Sequence, residues 1–169
     1  VTTPDAEQRE ALRRTFRLPA NLPVWVAGST HAGEEEIIID VYRELVAAGA
    51  RLLLILVPRH PERCRGVGEM LTGRGLTVRL RSAVTATDPW LGSGEVLLVD
   101  TIGEMLTFYA LADLVFVGGS LVPVGGHNVL EASLLEKPVV FGSHMHNFKE
   151  IAKLLQASGG GLMVGNRPE

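Results

Sequence analysis

The sequence has few of the residues that build disulfide-rich, metal-binding or membrane-spanning proteins. It has one cysteine, Cys64, among 169 residues, which excludes an internal disulfide and a cysteine-rich zinc site. Its longest apolar runs, such as residues 52–57, are far shorter than the ~20 residues that a membrane-spanning helix needs. The net charge of −3 gives no general attraction to nucleic acid, which we therefore do not expect as a partner.

The residues that are abundant suit a folded globular domain. Hydrophobic residues make up 46% of the chain and charged residues 21%, a balance typical of folded proteins rather than disordered ones. Aromatic residues are scarce at 5%, whereas glycine is frequent with 19 copies. This composition favours aliphatic strands and helices joined by glycine-rich turns.

Short apolar segments alternate with helical patterns along the chain. Residues 1–22 form a polar lead-in with a short amphipathic helix over 6–16, and residues 23–169 are predicted to form one domain. The predicted strands cover 24–27, 51–57, 76–80, 95–99, 114–117, 138–141 and 161–164. The predicted helices cover 32–48, 61–71, 102–110, 128–135 and 147–157. The alternation predicts an α/β fold, Rossmann-like and doubly wound, with a mostly parallel sheet and helices on both faces.

Ligands of such sheets bind at the carboxyl ends of the strands, so the informative segments follow each strand. The segment 28–33 follows the first strand and opens a helix whose amides could bind an anion. It is not a P-loop, because Glu34 and Glu35 stand where lysine and serine or threonine would be needed. An ordinary capped turn between strand and helix explains this segment equally well.

Arg59 follows the second strand, where a fold that binds NAD would carry an acidic residue for the ribose. A guanidinium group matches phosphate or carboxylate, and a surface arginine on a proline-bounded turn is the alternative interpretation. An oxidoreductase that uses Arg59 for the 2′-phosphate of NADP is disfavoured because no GxGxxG motif is present. A non-catalytic binding module also fits these residues.

The most informative segment is 118–131, in which two glycine pairs bracket a short loop before a predicted helix. Asn128 and Glu131 would lie one turn apart on that helix, and their amide and carboxylate suit the hydroxyls of a sugar. A capping-box start would also bring them together. His127, His144 and His146 could suggest a metal, but no carboxylate accompanies them and we expect no metal site. No serine–histidine–aspartate order, close acid pair or HExxH helix stands out.

Together these segments resemble the C-terminal half of the 3-deoxy-D-manno-octulosonic acid (Kdo) transferases of lipopolysaccharide synthesis, which are GT-B glycosyltransferases. The resemblance runs from about Val24 to the C-terminus. Its motifs are Gly28-Ser29-Thr30-His31, Pro58-Arg59-His60-Pro61, Asp100-Thr101-Ile102-Gly103-Glu104-Met105, and Gly125-Gly126-His127-Asn128 followed by Leu130-Glu131.

The resemblance implies a domain that binds the donor substrate CMP-Kdo, with no metal and no other cofactor. The full enzyme would transfer Kdo to a lipid A precursor at the cytoplasmic face of the bacterial inner membrane. The positions that match the family's nucleotide-binding motifs are Pro58, Arg59, Gly103, Glu104, Met105, Asn128, Val129, Leu130 and Glu131. Further candidate donor contacts are Ser29, Thr30, His31, Gly125, Gly126 and His127. Within these sets, Arg59 is expected at the cytidine phosphate and Glu131 at the ribose.

Two positions depart from the family pattern: Val129 stands where proline is frequent, and Val124 where a polar residue is common. We expect the chain to be truncated at both ends relative to the full enzyme. The N-terminal domain of the family carries the acceptor site, the membrane association and the general base. We therefore expect no catalytic residue in this chain, which would bind CMP without turnover. The alternative is the C-terminal half of another GT-B enzyme, a UDP-sugar transferase or a sugar-nucleotide epimerase.

Overall fold

A single parallel sheet organises the computed structural model, which describes residues 5–19, 21–85, 87–119, 139–142 and 161–164. The strands are β1 (Val24–Thr30), β2 (Leu53–Pro58), β3 (Thr77–Leu80), β4 (Glu95–Leu98), β5 (Leu114–Val117), β6 (Val139–Gly142) and β7 (Gly161–Val164). Their order is β3-β4-β2-β1-β5-β6-β7, and every pair of neighbours is parallel. The predicted strands are thus confirmed, and the sheet is wholly rather than mostly parallel across these strands.

Helices cover both faces of this sheet, as the doubly wound prediction requires. The described helices are α1 (Ala6–Thr15), α2 (Glu34–Ala47), α3 (Cys64–Gly73) and α4 (Met105–Leu111). Alternate residues of β1 divide between two cores, with Val24 and Val26 on the side of α4 and Trp25 and Ala27 on the side of α2 and α3. In the described part of the chain, no helix combines the length and apolar character needed to cross a membrane.

The polar lead-in shares the core of the domain. Asp5 caps α1 through a capping box with Gln8, so the helix predicted over 6–16 is confirmed. The Phe16 ring packs against Phe108 of α4 with 4.7 Å between ring centroids, and Leu18 is buried nearby. The described residues on either side of position 22 therefore belong to one packed body.

The end of α2 and the start of α4 illustrate how glycine sets helix boundaries. Gly49 has φ of +97° and follows α2, and the next amide, of Ala50, donates to the carbonyl of Leu45 at 3.0 Å. This is a Schellman motif, the expected helix stop. The helix predicted over 102–110 instead begins at Met105, because Gly103 adopts φ of +85° and breaks the helical path. Ile102 is consequently exposed. The helices predicted over 128–135 and 147–157 lie outside the described residues.

Candidate functional site

The carboxyl ends of β1 and β5 meet at the point where the strand order reverses. From β1 the chain continues to β2, β3 and β4 on one side, whereas β5 begins the other side with β6 and β7. Such a switch point leaves a crevice in which open α/β sheets bind their ligands. Ser29 and Thr30 form one side of this crevice, and Gly118 and Gly119 form the other.

The two walls approach each other so closely that only glycine fits. The Gly118 amide donates to the Gly28 carbonyl at 2.8 Å, which extends the pairing of β5 with β1 beyond the strand end. A Cβ atom on Gly118 would overlap the backbone carbonyl of Ser29, and one on Gly28 would overlap the Tyr109 ring. Gly118, the first residue of the first glycine pair, therefore packs backbone against backbone on β1.

Ser29 lies in a bulge of β1 and has a strained backbone. Its φ is +56°, an uncommon value for a residue other than glycine, and the register with β2 shifts between Gly28 and Thr30. Its hydroxyl donates to the Met105 sulfur at 3.1 Å. The bulge therefore joins the end of β1 to the start of α4, bringing together two groups of residues predicted to contact the donor.

The first turn of α2 carries two buried carboxylates. Glu34 is fully buried, and its Oε2 accepts hydrogen bonds from the amides of His31 at 2.9 Å and Gly119 at 2.8 Å. Glu35 accepts a hydrogen bond from the Thr30 hydroxyl at 2.8 Å and a bidentate pair from Arg63, the shorter at 2.7 Å. The Glu34 and Glu35 carboxylates thus hold the turn 28–33 through hydrogen bonds from His31 and Thr30.

Arg59 and His60 extend from the end of β2 beside this turn. The Arg59 amide donates to the Thr30 carbonyl at 2.9 Å, which fixes the two loops together, while Pro58 is buried next to Thr30 in the strand register. The Arg59 side chain is exposed, and within the described part of the chain its guanidinium has no hydrogen-bond or ion-pair partner. A guanidinium in this state can meet an anionic ligand without breaking an existing pair.

The imidazole rings of His31 and His60 stand edge to face, with 5.7 Å between their centroids. Burial lowers the pKa of His31 from its ordinary 6.5, and the neighbouring His60 acts in the same direction, although Glu34 opposes the shift. Burial therefore favours the neutral form of the His31 ring. No cluster of three or more potential metal ligands occurs among the described residues.

The third predicted group, Gly103, Glu104 and Met105, follows β4. The Glu104 carboxylate is held by Arg81 at 3.1 Å and by the Thr101 hydroxyl at 2.5 Å. Because this carboxylate already has partners, it fixes the loop, whereas Gly103 is exposed and unobstructed.

The structure therefore assembles part of the predicted site. Ser29, Thr30 and His31 lie beside Pro58 and Arg59, and Met105 joins them through Ser29. Gly103 and Glu104 lie in the loop after β4, and the other predicted positions lie outside the described residues: Gly125, Gly126, His127, Asn128, Val129, Leu130 and Glu131, together with His144 and His146. Sequence reasoning missed the contacts of Glu34 and the role of Arg63. The run of three acids that opens α2, two of which exclude a P-loop, is the signal that the sequence offers.

This chain is similar in sequence to curated proteins from several organisms. It is 42% identical over 144 residues to the 3-deoxy-D-manno-octulosonic acid transferase of Haemophilus influenzae, covering 85% of this chain and 33% of that protein. It is 40% identical over 171 residues to the enzyme of the same name from Bordetella pertussis, covering 96% of this chain and 38% of that protein. The chain thus spans about a third of the length of the curated relatives it matches. A scan against models of protein families matched none of them.

A solved structure superposes on nearly the whole chain. It is the crystal structure of the C-terminal CMP-Kdo binding domain of WaaA from Acinetobacter baumannii, which is 35% identical in sequence. The two superpose with a TM-score of 0.82, over 95% of this chain and 81% of that domain. The match covers the fold as well as the sequence.

Proposed function

Because this chain belongs to the 3-deoxy-D-manno-octulosonic acid transferase family, we propose that it binds the nucleotide-sugar donor CMP-Kdo. The observation that carries the proposal is the match to a C-terminal domain described as binding CMP-Kdo, over four-fifths of that domain. The geometry supports it, since Gly118, Gly119 and the bulge at Ser29 line the switch point of the sheet, and the Arg59 guanidinium beside it has no partner among the described residues.

Arg59 would contact the phosphate of CMP. Its backbone is anchored on Thr30 and its side chain is exposed, so the charge is available at the edge of the crevice. Pro58, Gly103, Glu104 and Met105 would line the nucleotide pocket, and Asn128, Val129, Leu130 and Glu131 would hold the nucleotide, with Glu131 at the ribose hydroxyls. Because the Glu104 carboxylate is held by Arg81, we assign Glu104 a role through its backbone.

In the full-length protein this domain would serve a glycosyltransferase. A hydroxyl of the lipid A precursor would attack the anomeric carbon of Kdo while CMP leaves, and the bond to the phosphate oxygen would break. Arg59 and the amides of the helix predicted at Asn128 would stabilise the negative charge that develops on the leaving phosphate. We propose that the reaction needs no metal, and that the acceptor site and the contact with the cytoplasmic face of the inner membrane belong to the rest of the protein.

Titration of CMP into the chain by calorimetry tests the proposal. A hydrogen-bonded charge pair with phosphate contributes about 1.5–3 kcal/mol, so Arg59→Ala should weaken CMP binding by about 10- to 100-fold. Arg43→Ala, which removes an exposed arginine from α2, is the matched control and should leave the affinity unchanged.

Competition with other nucleotides distinguishes the alternative enzymes. CMP should displace UMP and UDP, because the relatives of this chain are Kdo transferases. Tighter binding of UDP than of CMP would indicate a transferase or epimerase that uses UDP-sugars. Equal binding of CMP by the wild type and Arg59→Ala would overturn the assignment of Arg59, and the absence of CMP binding by the wild type would overturn the proposed function.

A further inference from the structure

The Glu34 carboxylate joins two loops that are distant in sequence. A single oxygen atom, Oε2, accepts two hydrogen bonds. One comes from the amide of His31 in the turn after β1, and the other from the amide of Gly119 after β5. The second of these residues is 85 positions away along the chain. Both loops end at the switch point of the sheet, so Glu34 bridges the two walls of the crevice.

The bridge is buried, which makes it strong and costly to lose. Glu34 has 0% of its surface exposed, and Gly119 is buried as well. Hydrogen bonds from amides to a carboxylate are about twice as strong as those between neutral groups. The carboxylate also lies at the positive end of α2, whose dipole favours a negative charge there. If Glu34 were shortened, the Gly119 amide would be left buried without this acceptor.

A second contact holds the same turn from the other side. The Gly118 amide donates to the Gly28 carbonyl at 2.8 Å, and the two successive amides of Gly118 and Gly119 are therefore fixed on β1 and on α2 respectively. Two consecutive amides at the carboxyl end of β5 are thus held in place. Residues 128–131, which are proposed to hold the nucleotide, follow later in the sequence.

We propose that Glu34 is a positioning residue for donor binding, which holds the His31 turn against Gly119 at the end of β5 without touching the donor. This rests on the proposed function, because His31 and the residues that follow Gly119 in sequence are assigned to the donor. Glu34 differs in this respect from Glu35, whose partners are Arg63 and Thr30 and which makes no described contact beyond β5. The positioning role requires a side chain at position 34 that is long enough to reach the Gly119 amide and that ends in an acceptor oxygen.

Three substitutions separate these requirements. Glu34→Ala removes the acceptor, Glu34→Asp keeps the charge but withdraws the oxygen by one methylene, and Glu34→Gln keeps an acceptor oxygen at the same reach. Tyr42→Phe is the matched control for lost stability, because Tyr42 is buried in the same helix and its hydroxyl accepts a hydrogen bond from the Gly94 amide, just before β4, a strand that β2 and β1 separate from β5. Thermal unfolding identifies which variants are folded.

Calorimetry with CMP gives the first readout. We expect Glu34→Ala and Glu34→Asp to weaken CMP binding at least tenfold, Glu34→Gln to stay within about threefold of the wild type, and Tyr42→Phe to bind normally despite its lower stability. If Glu34→Asp is folded and binds CMP as tightly as the wild type, the positioning role is wrong. An equal loss in Tyr42→Phe would likewise overturn it, since loss of stability would then explain the effect.

Hydrogen exchange of the Gly119 amide, followed by NMR, gives a readout that does not depend on the donor. The amide should exchange slowly in the wild type and in Glu34→Gln, and much faster in Glu34→Asp, measured relative to the amides of β1. Failure of the wild type to bind CMP would overturn the proposed function, whereas unchanged exchange in Glu34→Asp would overturn the bridge itself. The two failures are therefore distinguishable.

Discussion

Arg63 and Glu35 form a bidentate ion pair in which Nη2 of the guanidinium lies 2.7 Å from Oε1 of the carboxylate and Nη1 lies 3.2 Å from Oε2. The Glu35 side chain is 1% exposed and the Arg63 side chain 32% exposed. The pair connects the first turn of α2 to the 3-10 helical turn Pro61–Arg63 that follows β2, and so it holds together the two loops that carry His31 and Arg59.

Removal of Arg63 should destabilise the domain more than removal of any exposed arginine. Arg63→Ala leaves the Glu35 carboxylate buried without its cation, which costs about 3–5 kcal/mol. Urea unfolding measures the change. The control is Arg65→Ala, which removes an exposed partner of Glu69 at 3.6 Å and should cost no more than about 0.5 kcal/mol. A similar small cost for both variants would mean that water reaches Glu35 and replaces the guanidinium.

The strands and the limits of α1 and α2 could be predicted closely from sequence because they depend on neighbouring residues. Gly49 ends α2 where its position predicts, since a left-handed residue after a helix is a local requirement. At Gly103 the prediction is wrong. The apolar spacing around it favours a helix from residue 102, but its positive φ is not helical and α4 begins at Met105. Periodicity does not report on the conformation of one glycine.

The contact of Glu34 with Gly119 could not be predicted, because it depends on which strands are neighbours. The alternation of strands and helices indicates a parallel sheet but leaves the order open, and only the placement of β5 beside β1 brings residues 34 and 119 together. The same holds for Ser29 and Met105, which meet through the packing of α4 on the sheet. The sequence therefore predicts which residues follow the strands, but not which of these residues contact one another.

The free energy of unfolding should depend on pH through the titration of His31. Burial lowers the pKa of His31 in the folded protein below its ordinary 6.5, so folding favours the neutral ring. The stability that this neutral form contributes is fully present above pH 6.5 and is lost as the pH falls through the folded-state pKa. Urea unfolding between pH 7.5 and about 5 should therefore show a decline that is shallower in His31→Gln.

NMR titration of the histidine rings checks the causes of that shift separately. His60→Gln removes a group that lowers the pKa of His31, so this pKa should rise toward 6.5. Glu34→Gln removes a negative charge that raises it, so the pKa should fall further. A pKa of His31 that stays at its wild-type value in both variants would contradict the arrangement of charges around the ring.

Gly118→Ala and Gly66→Ala should have opposite effects on stability. A Cβ on Gly118 overlaps the Ser29 backbone, which cannot move aside as a side chain could, and such overpacking costs about 1–3 kcal/mol. Gly66 lies in α3 with no atom within 4 Å of an added Cβ, so alanine there should stabilise the helix by about 0.5–1 kcal/mol. Unfolding free energies measure both. CMP affinity should fall in Gly118→Ala only, and a normal affinity in a folded Gly118→Ala would show that the crevice tolerates a wider gap.

Ser29 offers a comparison in which glycine should be better than alanine. At ordinary positions glycine is less stable than alanine, because it loses more backbone freedom on folding. Ser29 has φ of +56°, where a side chain costs about 1–2 kcal/mol. Both Ser29→Gly and Ser29→Ala lose the hydroxyl contact with the Met105 sulfur, so the difference between them isolates the backbone. We expect Ser29→Gly to be more stable than Ser29→Ala by about 1 kcal/mol in urea unfolding. If alanine were the more stable replacement, the bulge would have to relax out of the left-handed region, and the connection between β1 and α4 would be less rigid than the distance to Met105 indicates.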